Sequence, residues 1–268
     1  QFLGFLTGAV TGVLVTALGA LALFVDLGHP LRFWRAMRKP GTSWISRGSI
    51  LITVFIAFGI LYAAPSWAGL RWLPWAPDTA LGQSIGVVAG IAAVGVVIYT
   101  GFLLASSPSI AFWNTVFVPA QFTLYSFLGG VDLILIMRAI LGDVNVNARA
   151  LETSQMWLGG ISLVFIISYL AVMFSSNLAS QNSVRLLTRS NLAVLFLGGV
   201  IILGLVIPLL MIGYLYFIVG TVPPTVPALT GSLMLLGSLL FRYSLLRAGL
   251  YAPPLSEART LRARGVAA

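Results

Sequence analysis

Three side chains that handle protons or bind oxygen atoms lie close together after the first apolar stretch. Asp26, His29 and Arg32 follow one another at intervals of three residues, so a continuing helix would place them on one face. A carboxylate beside an imidazole and a guanidinium can bind a carbonyl oxygen and supply a proton when that carbonyl is reduced. The same spacing suits a helix-end network that only fixes a basic loop, because Pro30 is expected to tighten or end the helix.

Aromatic and amide side chains form a second candidate group. Tyr99 lies one to two turns inside a later apolar stretch, where its phenol can donate a hydrogen bond to a ligand or serve as an interfacial aromatic anchor. Trp113 follows fourteen residues later and Asn114 comes next. These two place an aromatic face and an amide near the same membrane surface as Tyr99. The alternative is an interfacial tryptophan and a helix-capping asparagine.

Asp132 is the one acidic residue well inside the predicted apolar stretches, which contain no Glu. Such a residue is costly in lipid and is therefore a candidate for proton transfer. Arg138 follows six residues later, which does not place the two on one helix face, so their partners are expected on other helices. A single carboxylate provides too few protonatable groups for a proton path across a membrane.

The elements that position these residues are membrane-spanning helices. Of the 268 residues 59% are hydrophobic and 8% are charged, whereas soluble proteins carry about 25% charged residues. Apolar stretches long enough to cross a ~30 Å hydrocarbon core recur along the chain, and helices satisfy their own backbone groups in lipid. We predict an all-α polytopic bundle over 1–251 and a flexible basic tail over 252–268. The seven predicted spans are about 2–25, 48–64, 82–106, 115–140, 156–175, 192–218 and 226–247.

Positive charge concentrates on one side of this predicted bundle. Fifteen Lys and Arg against six Asp and Glu give a net charge of +9, which in a membrane protein indicates topology before it suggests nucleic acid. The positive-inside rule makes the basic side cytoplasmic; the alternative is a docking face for an acidic partner subunit, on either side of the membrane. The basic residues concerned are Arg32, Arg35, Arg38, Lys39, Arg47, Arg185, Arg189, Arg259, Arg262 and Arg264.

The residues that are missing from the sequence exclude several cofactors. The chain has no Cys and a single His, so thiolate metal sites, disulfides, c-type haem and iron–sulfur ligation are excluded. A b-type haem usually needs strong axial ligands such as paired histidines. We therefore expect no metal, haem or iron–sulfur cluster in this chain, and any electron carriers belong to partners or to a diffusible molecule.

Several segments in order resemble the polysulfide reductase membrane subunit family, also called the NrfD/PsrC family. They run over nearly the whole chain, and although no single motif is as specific as a metal-ligand signature, the ordered set is hard to obtain by chance. The segments are FLGFLTGAVTG at 2–12, DLGHPLRFWRAM at 26–37, SWISRG at 43–48, YTGFLLASSPSIAFWNTVFVPAQF at 99–122, GGVD in the fourth span, LGGVIILGLVIPLLM at 197–211 and GSLLFRYSLLRAGLY at 237–251.

The resemblance implies a quinone-reactive subunit of a prokaryotic plasma membrane complex. Its implied partners are a ferredoxin-like iron–sulfur subunit and usually a molybdopterin catalytic subunit, and its implied ligand is menaquinone or ubiquinone. In the family's polysulfide reductase a tyrosine fourteen residues before a Trp-Asn pair contacts the quinone head group, and Tyr99 keeps that spacing. Members commonly have eight spans, so the first span, which contributes polar residues to the pocket, is expected to be missing or diverged here.

From the residues and the resemblance together we predict a quinone-binding anchor of a respiratory oxidoreductase that carries no catalytic centre itself. The predicted docking residues are Arg32, Arg35, Arg38 and Lys39, and the candidates for proton transfer are His29, Asp26 and Asp132. The alternative is a small-solute transporter, for which inverted repeats and broken helices are typical; neither is evident in the sequence. The predicted quinone site comprises Tyr99, His29, Asp26, Trp113 and Asn114, of which His29 stands where relatives often have another residue.

Overall fold

The computed structural model of the chain describes residues 2–142, 147–220 and 222–251, and throughout these ranges the regular structure is helical. The prediction of an all-α polytopic bundle is confirmed, whereas the predicted tail 252–268 lies outside the described residues. Six helices are long and apolar enough to cross a membrane, and Ala9–Val25 adds a shorter apolar helix. The six are Trp44–Ser66, Ala80–Ala105, Phe117–Leu141, Ala148–Phe174, Val194–Val219 and Thr225–Ala248.

The helices are named in chain order. They are α1 (Phe2–Val25), α2 (Trp44–Ala63), α3 (Ala80–Ala105), α4 (Phe117–Leu141), α5 (Ala148–Phe174), α6 (Leu178–Arg189), α7 (Ile207–Tyr214) and α8 (Thr225–Ala248). Helix α7 is flanked by the π-helical stretches Val194–Val206 and Leu215–Val219, and Val194–Val219 as a whole is called the α7 span. The connection after α1 contains a 3₁₀ helix, Pro30–Arg38, and two 3₁₀ turns, Ala64–Ser66 and Ala68–Leu70, follow α2.

Polar side chains set where several helices begin. The Thr79 hydroxyl accepts from the Gly82 amide at 3.1 Å, and the Asn147 amide oxygen accepts from the Ala150 amide at 3.1 Å. These bonds satisfy N–H groups that have no partner within the helix. Because Asn147 caps it, α5 begins at Ala148, eight residues before the predicted start of that span at 156.

The core lies between α4, α5, the α7 span and α8. Two helices of this core approach closely at Gly204 and Gly237, since a Cβ on either glycine would lie 2.6 Å from the Cα of the other. Small residues at such a point let two backbones pack without intervening side chains. Helices α1, α2 and α3 pack in sequence beside this core, with α3 joined to it through α4.

Alternation of the spans gives the bundle two chemically different ends. The connections α1–α2 and α3–α4, helix α6 and the end of α8 share one end, called the basic face, and the remaining connections share the opposite face. Within the described ranges, Arg32, Arg35, Arg38, Lys39, Arg47, Arg185 and Arg189 belong to the basic face. The predicted charge asymmetry is therefore present, and the cytoplasmic location of the basic face stays a prediction.

Candidate functional site

Tyr99 is held near the basic face by contact with α2. It lies six residues before the end of α3, which is about 9 Å along the helix axis at 1.5 Å per residue. Its ring is half-buried against Gly48, where even a Cβ would overlap the ring atoms. Its hydroxyl makes no hydrogen bond to any other described residue, so the ring is fixed by packing while the O–H is free to donate to a ligand.

Aromatic and basic residues stabilise the start of α2 and the end of α3, next to Tyr99. The Trp44 ring, at the start of α2, stacks on the Phe102 ring of α3 with centroids 4.9 Å apart and planes inclined by 16°. The Arg47 guanidinium lies 4.6 Å from the Trp44 centroid and donates to the carbonyl oxygens of Pro40 at 2.7 Å and Gly41 at 2.8 Å. These contacts join the start of α2 to the end of α3, and so preserve the contact between Gly48 and Tyr99.

Asp26, His29 and Arg32 do not lie on one continuing helix. Helix α1 ends at Val25, and a turn and bend carry the chain to the 3₁₀ helix that starts at Pro30. All three side chains are exposed, and no hydrogen bond or ion pair joins them in the part of the chain that the structure describes. They lie at the basic face, in a position to exchange protons with water.

The 3₁₀ helix carries the predicted docking residues. The guanidinium groups of Arg35 and Arg38 lie 5.8 Å and 4.2 Å from the Trp34 ring centroid, while Arg32 and Lys39 are exposed on either side. A tryptophan that holds two guanidinium groups by cation–π attraction limits their motion. The segment therefore presents an ordered positive surface.

Trp113 and Asn114 use their polar groups within the chain. The Trp113 indole N–H donates to the Leu245 carbonyl oxygen at 2.9 Å, and its ring packs against Gly249. The Asn114 amide donates to the Ala105 carbonyl oxygen at 2.8 Å, at the end of α3. The two residues thus fasten the α3–α4 connection to the ends of α3 and α8.

Asp132 lies in a separate, buried polar cluster. Its carboxylate accepts from the Gln155 side-chain amide of α5 at 2.7 Å and has no exposed surface. Nearby, Arg138 forms an ion pair with Glu152 of α5 at 3.7 Å. The prediction that Asp132 and Arg138 find partners on other helices is confirmed, whereas the expectation that no Glu lies within the spans is wrong because α5 begins before Glu152.

A third polar group between α4 and α8 was not predicted as a site. Gln121 and Tyr125 are buried on α4, and their side-chain polar atoms have no hydrogen bond of good geometry. The Arg242 guanidinium of α8 lies 5.3 Å from the Phe122 ring centroid. The available sequence signal was the four-residue interval between Gln121 and Tyr125, which puts both on one face of a helix.

In the described ranges, no group of three or more His, Asp and Glu side chains could hold a metal ion.

Comparison with known proteins gives a family match and two curated relatives. Residues 3–254 match the family described as "Polysulphide reductase, NrfD". A subunit of the sulfite dehydrogenase of Allochromatium vinosum is 26% identical over 142 residues, which cover 51% of this chain and 43% of that protein. Protein NrfD of Escherichia coli is 27% identical over 266 residues, which cover 91% of this chain and 81% of that protein. The chain thus aligns with less than half of the first relative and with most of the second.

Proposed function

Because the chain belongs to the NrfD polysulphide reductase family, we propose that it is the quinone-binding membrane subunit of a respiratory oxidoreductase complex in a prokaryotic plasma membrane. The observation that carries the proposal is the Tyr99 phenol, a half-buried hydrogen-bond donor without an internal acceptor among the described residues. It lies about 9 Å from the end of α3 at the basic face. A lipid-soluble ligand can reach that depth from the bilayer.

The residues around Tyr99 fit a quinone head group in chemistry. Such a head group is a flat ring whose carbonyl oxygens accept hydrogen bonds, and the phenol O–H is a suitable donor. A bound quinone supplies two-electron, two-proton redox chemistry. Gly48 leaves room for the Tyr99 ring, and the Trp44–Phe102 stack stabilises the helix ends that hold it.

Most of the remaining predicted residues have supporting roles in this proposal. Asp26 and His29 are exposed at the same face, where they exchange protons between the site and water. Trp113 and Asn114 position the end of α3 through their bonds to Leu245 and Ala105. Asp132, the third candidate for proton transfer, lies about 22 Å from the start of α4 at 1.5 Å per residue and has no part in this proposal, because its carboxylate accepts from Gln155.

The proposed partner is an iron–sulfur subunit that docks on the basic face and passes electrons to or from the quinone. Its docking surface on this chain is the 3₁₀ helix with Arg32, Arg35 and Arg38, together with Lys39. An acidic surface on the partner would complement these cations and raise the rate of association. A molybdopterin catalytic subunit, bound in turn by the iron–sulfur subunit, would determine the terminal substrate.

Replacing Tyr99 by Phe tests the proposal, since Phe keeps the ring packed on Gly48 and removes only the hydroxyl. A lost hydrogen bond costs about 0.5–1.5 kcal/mol, so quinone-dependent turnover of the purified complex should fall roughly two- to twelvefold at ~1.4 kcal/mol per decade. Turnover with an artificial electron carrier that bypasses this subunit should not change. The matched control is Tyr243→Phe, at an exposed tyrosine five residues before the end of α8.

Two results would contradict the proposal. The first is quinone-dependent turnover of Tyr99→Phe equal to that of the parent, which would put the quinone elsewhere. In the second, the native chain is purified from its host membrane without an iron–sulfur subunit, and it transports a solute after reconstitution into vesicles. That result would favour the alternative function, a small-solute transporter.

A further inference from the structure

An open groove lies at the basic face between α6 and the end of α8, away from the helices that hold Tyr99. Its volume is about 390 Å³, within the size range of small-molecule sites. Leu250, two residues after the end of α8, forms one side. The residues that line the groove are Asn182, Arg185, Leu186, Arg189, Ser190 and Leu250.

Helix α6 is amphipathic and lies at the level where the spans end, because it connects the end of α5 to the start of the α7 span. Val184 and Leu187 are buried on its inner side, against the core. Arg185 and Arg189 are exposed on its outer side. Since residues four apart are neighbours on a helix surface, Arg185 and Arg189 leave α6 on the same side, at the groove.

The charges of these two arginines are not balanced within the described part of the chain. Neither side chain makes a hydrogen bond, ion pair or ring contact there, in contrast to Arg38, which lies over Trp34, and Arg47, which donates to two backbone carbonyls. Like charges four residues apart on a helix repel each other. An anion bound between them would remove that repulsion and gain two charge-assisted interactions.

The apolar side of the groove narrows the identity of that anion. Leu186 and Leu250 line the groove beside the two arginines, so the groove is suited to a ligand that is anionic at one end and apolar at the other. We propose that the groove binds the phosphate of an anionic phospholipid, with the guanidinium groups on the phosphate and the leucines on the glycerol and first acyl carbons. Guanidinium groups match phosphate geometry, and basic pockets between membrane helices hold anionic lipid head groups.

Two observations favour an anionic lipid over other occupants. No carboxylate is among the described residues that line the groove, so a zwitterionic lipid would find no partner for its ammonium group. The groove also lies at the ends of membrane helices, where lipid head groups are already concentrated. The proposal concerns residues outside the proposed quinone site and does not depend on the proposed function.

Binding of defined lipids to the purified full chain, in whatever complex it forms, tests the proposal. Native mass spectrometry would follow titration with phosphatidylglycerol and, separately, phosphatidylcholine in detergent. The variants are Arg185→Gln, Arg189→Gln and the two combined; the matched control is Arg71→Gln, an exposed arginine on the opposite face without a contact to another described residue.

We expect the parent to prefer phosphatidylglycerol, each single variant to bind it about fivefold more weakly, and the double variant roughly 30-fold more weakly, which corresponds to about 2 kcal/mol at ~1.4 kcal/mol per decade. Arg71→Gln should bind it as the parent does, and phosphatidylcholine binding should be the same in all variants. Because the replaced side chains are exposed, the variants should fold, and parent-like thermal unfolding in detergent would verify this.

Three results would overturn the proposal. In the first, the double variant keeps the parent's affinity for phosphatidylglycerol. In the second, glycerol 3-phosphate binds as tightly as a short-chain phosphatidylglycerol, so the site is for a free phosphate ester and not for a lipid. In the third, the double variant keeps its lipid preference but loses a partner subunit, so the groove is a protein interface.

Discussion

Tyr99 and Asp132 are polar residues within membrane helices, yet their surroundings differ in almost every respect. Tyr99 is half-buried, has no internal hydrogen-bond acceptor among the described residues and lies near the basic face. Asp132 is fully buried, accepts a hydrogen bond from Gln155 at 2.7 Å and lies deeper along its helix. One side chain has an unused polar group that a ligand can reach, whereas the other has its main partner within the protein.

The difference shows why a polar residue in a membrane helix is an ambiguous functional signal. The cost of placing a polar group in lipid can be offset by a ligand or by another helix, and the sequence position is compatible with both. Accessibility separates the two cases: the Oδ2 atom of Asp132 also has no hydrogen-bond partner among the described residues, but Asp132 has no exposed surface. On this criterion the site near Tyr99 is suited to binding, and the bond from Gln155 to Asp132 is suited to holding α5 and α4 together.

The largest effect is expected when Gly48 is replaced by Ala. The new Cβ would overlap the Tyr99 ring, so the ring must move, which withdraws the hydroxyl from the head group and also shifts the ring itself. Quinone-dependent turnover should fall by more than the roughly two- to twelvefold loss expected for Tyr99→Phe, while turnover with a bypassing electron carrier is kept. Gly90→Ala on α3, where a Cβ would meet nothing within 4 Å, is the control. Parent-like turnover of Gly48→Ala would mean that the position of Tyr99 does not matter.

A substantial effect on stability is expected for Asp132→Ala. The change would leave the buried Gln155 amide with only its long 3.5 Å bond to the Pro227 carbonyl oxygen. Loss of the shorter bond costs about 1–3 kcal/mol, and thermal unfolding in detergent would measure the loss. Asp132→Asn keeps an acceptor for Gln155 and should retain most of the stability and the quinone-dependent turnover per complex. If Asp132→Asn instead lowered turnover as much as Tyr99→Phe, the carboxylate would take part in proton transfer and the contrast between the two sites would fail.

A smaller loss of stability is expected for Asn114→Ala. Its amide bonds the last carbonyl of α3 at 2.8 Å, and loss of one such bond costs about 0.5–1.5 kcal/mol. Thermal unfolding should shift accordingly, with an unchanged KM for quinone because Asn114 positions the helix end and does not touch the ligand. An increased KM at unchanged stability would show direct quinone contact, in line with the sequence-based interpretation.

The smallest effect is expected for His29→Ala. His29 is exposed at the basic face, so its imidazole can be partly replaced by water as a proton carrier. We expect a smaller loss of turnover than in Tyr99→Phe and a pH profile of turnover that differs from the parent's, since an imidazole can carry protons. A lower yield of the complex with an unchanged pH profile would mean that His29 has only a structural role.

Hydropathy is sufficient to predict most of the fold. Apolar length predicts the six candidate spans and the shorter apolar helix that the described residues form, but it places the start of α5 eight residues too late, because ARALETSQ is too polar to resemble a span. Its polar residues are accommodated by α4: Glu152 pairs with Arg138 and Gln155 bonds Asp132. Partners on another helix are not visible in one segment's composition, so this boundary could not be predicted.

The candidate site is predictable in part. The resemblance to the family, through the spacing to Trp113, is what favours Tyr99, but the contact of Tyr99 with Gly48 depends on the packing of α2 against α3, which no local pattern gives. Asp26, His29 and Arg32 have helical spacing, yet α1 ends before them. The 3₁₀ helix that follows agrees with the effect expected of Pro30.

The indole of Trp113 has a consequence for how the protein is made. Its hydrogen bond reaches a carbonyl of α8 that lies 132 residues later in the chain. While the ribosome is still delivering the intervening helices, that acceptor does not exist, so the α3–α4 connection reaches its final form only after the last helix has been inserted. Maturation of the basic face is therefore a late event in biogenesis, and a chain that stalls before α8 would leave the end of α3, and with it the surroundings of Tyr99, without this tether.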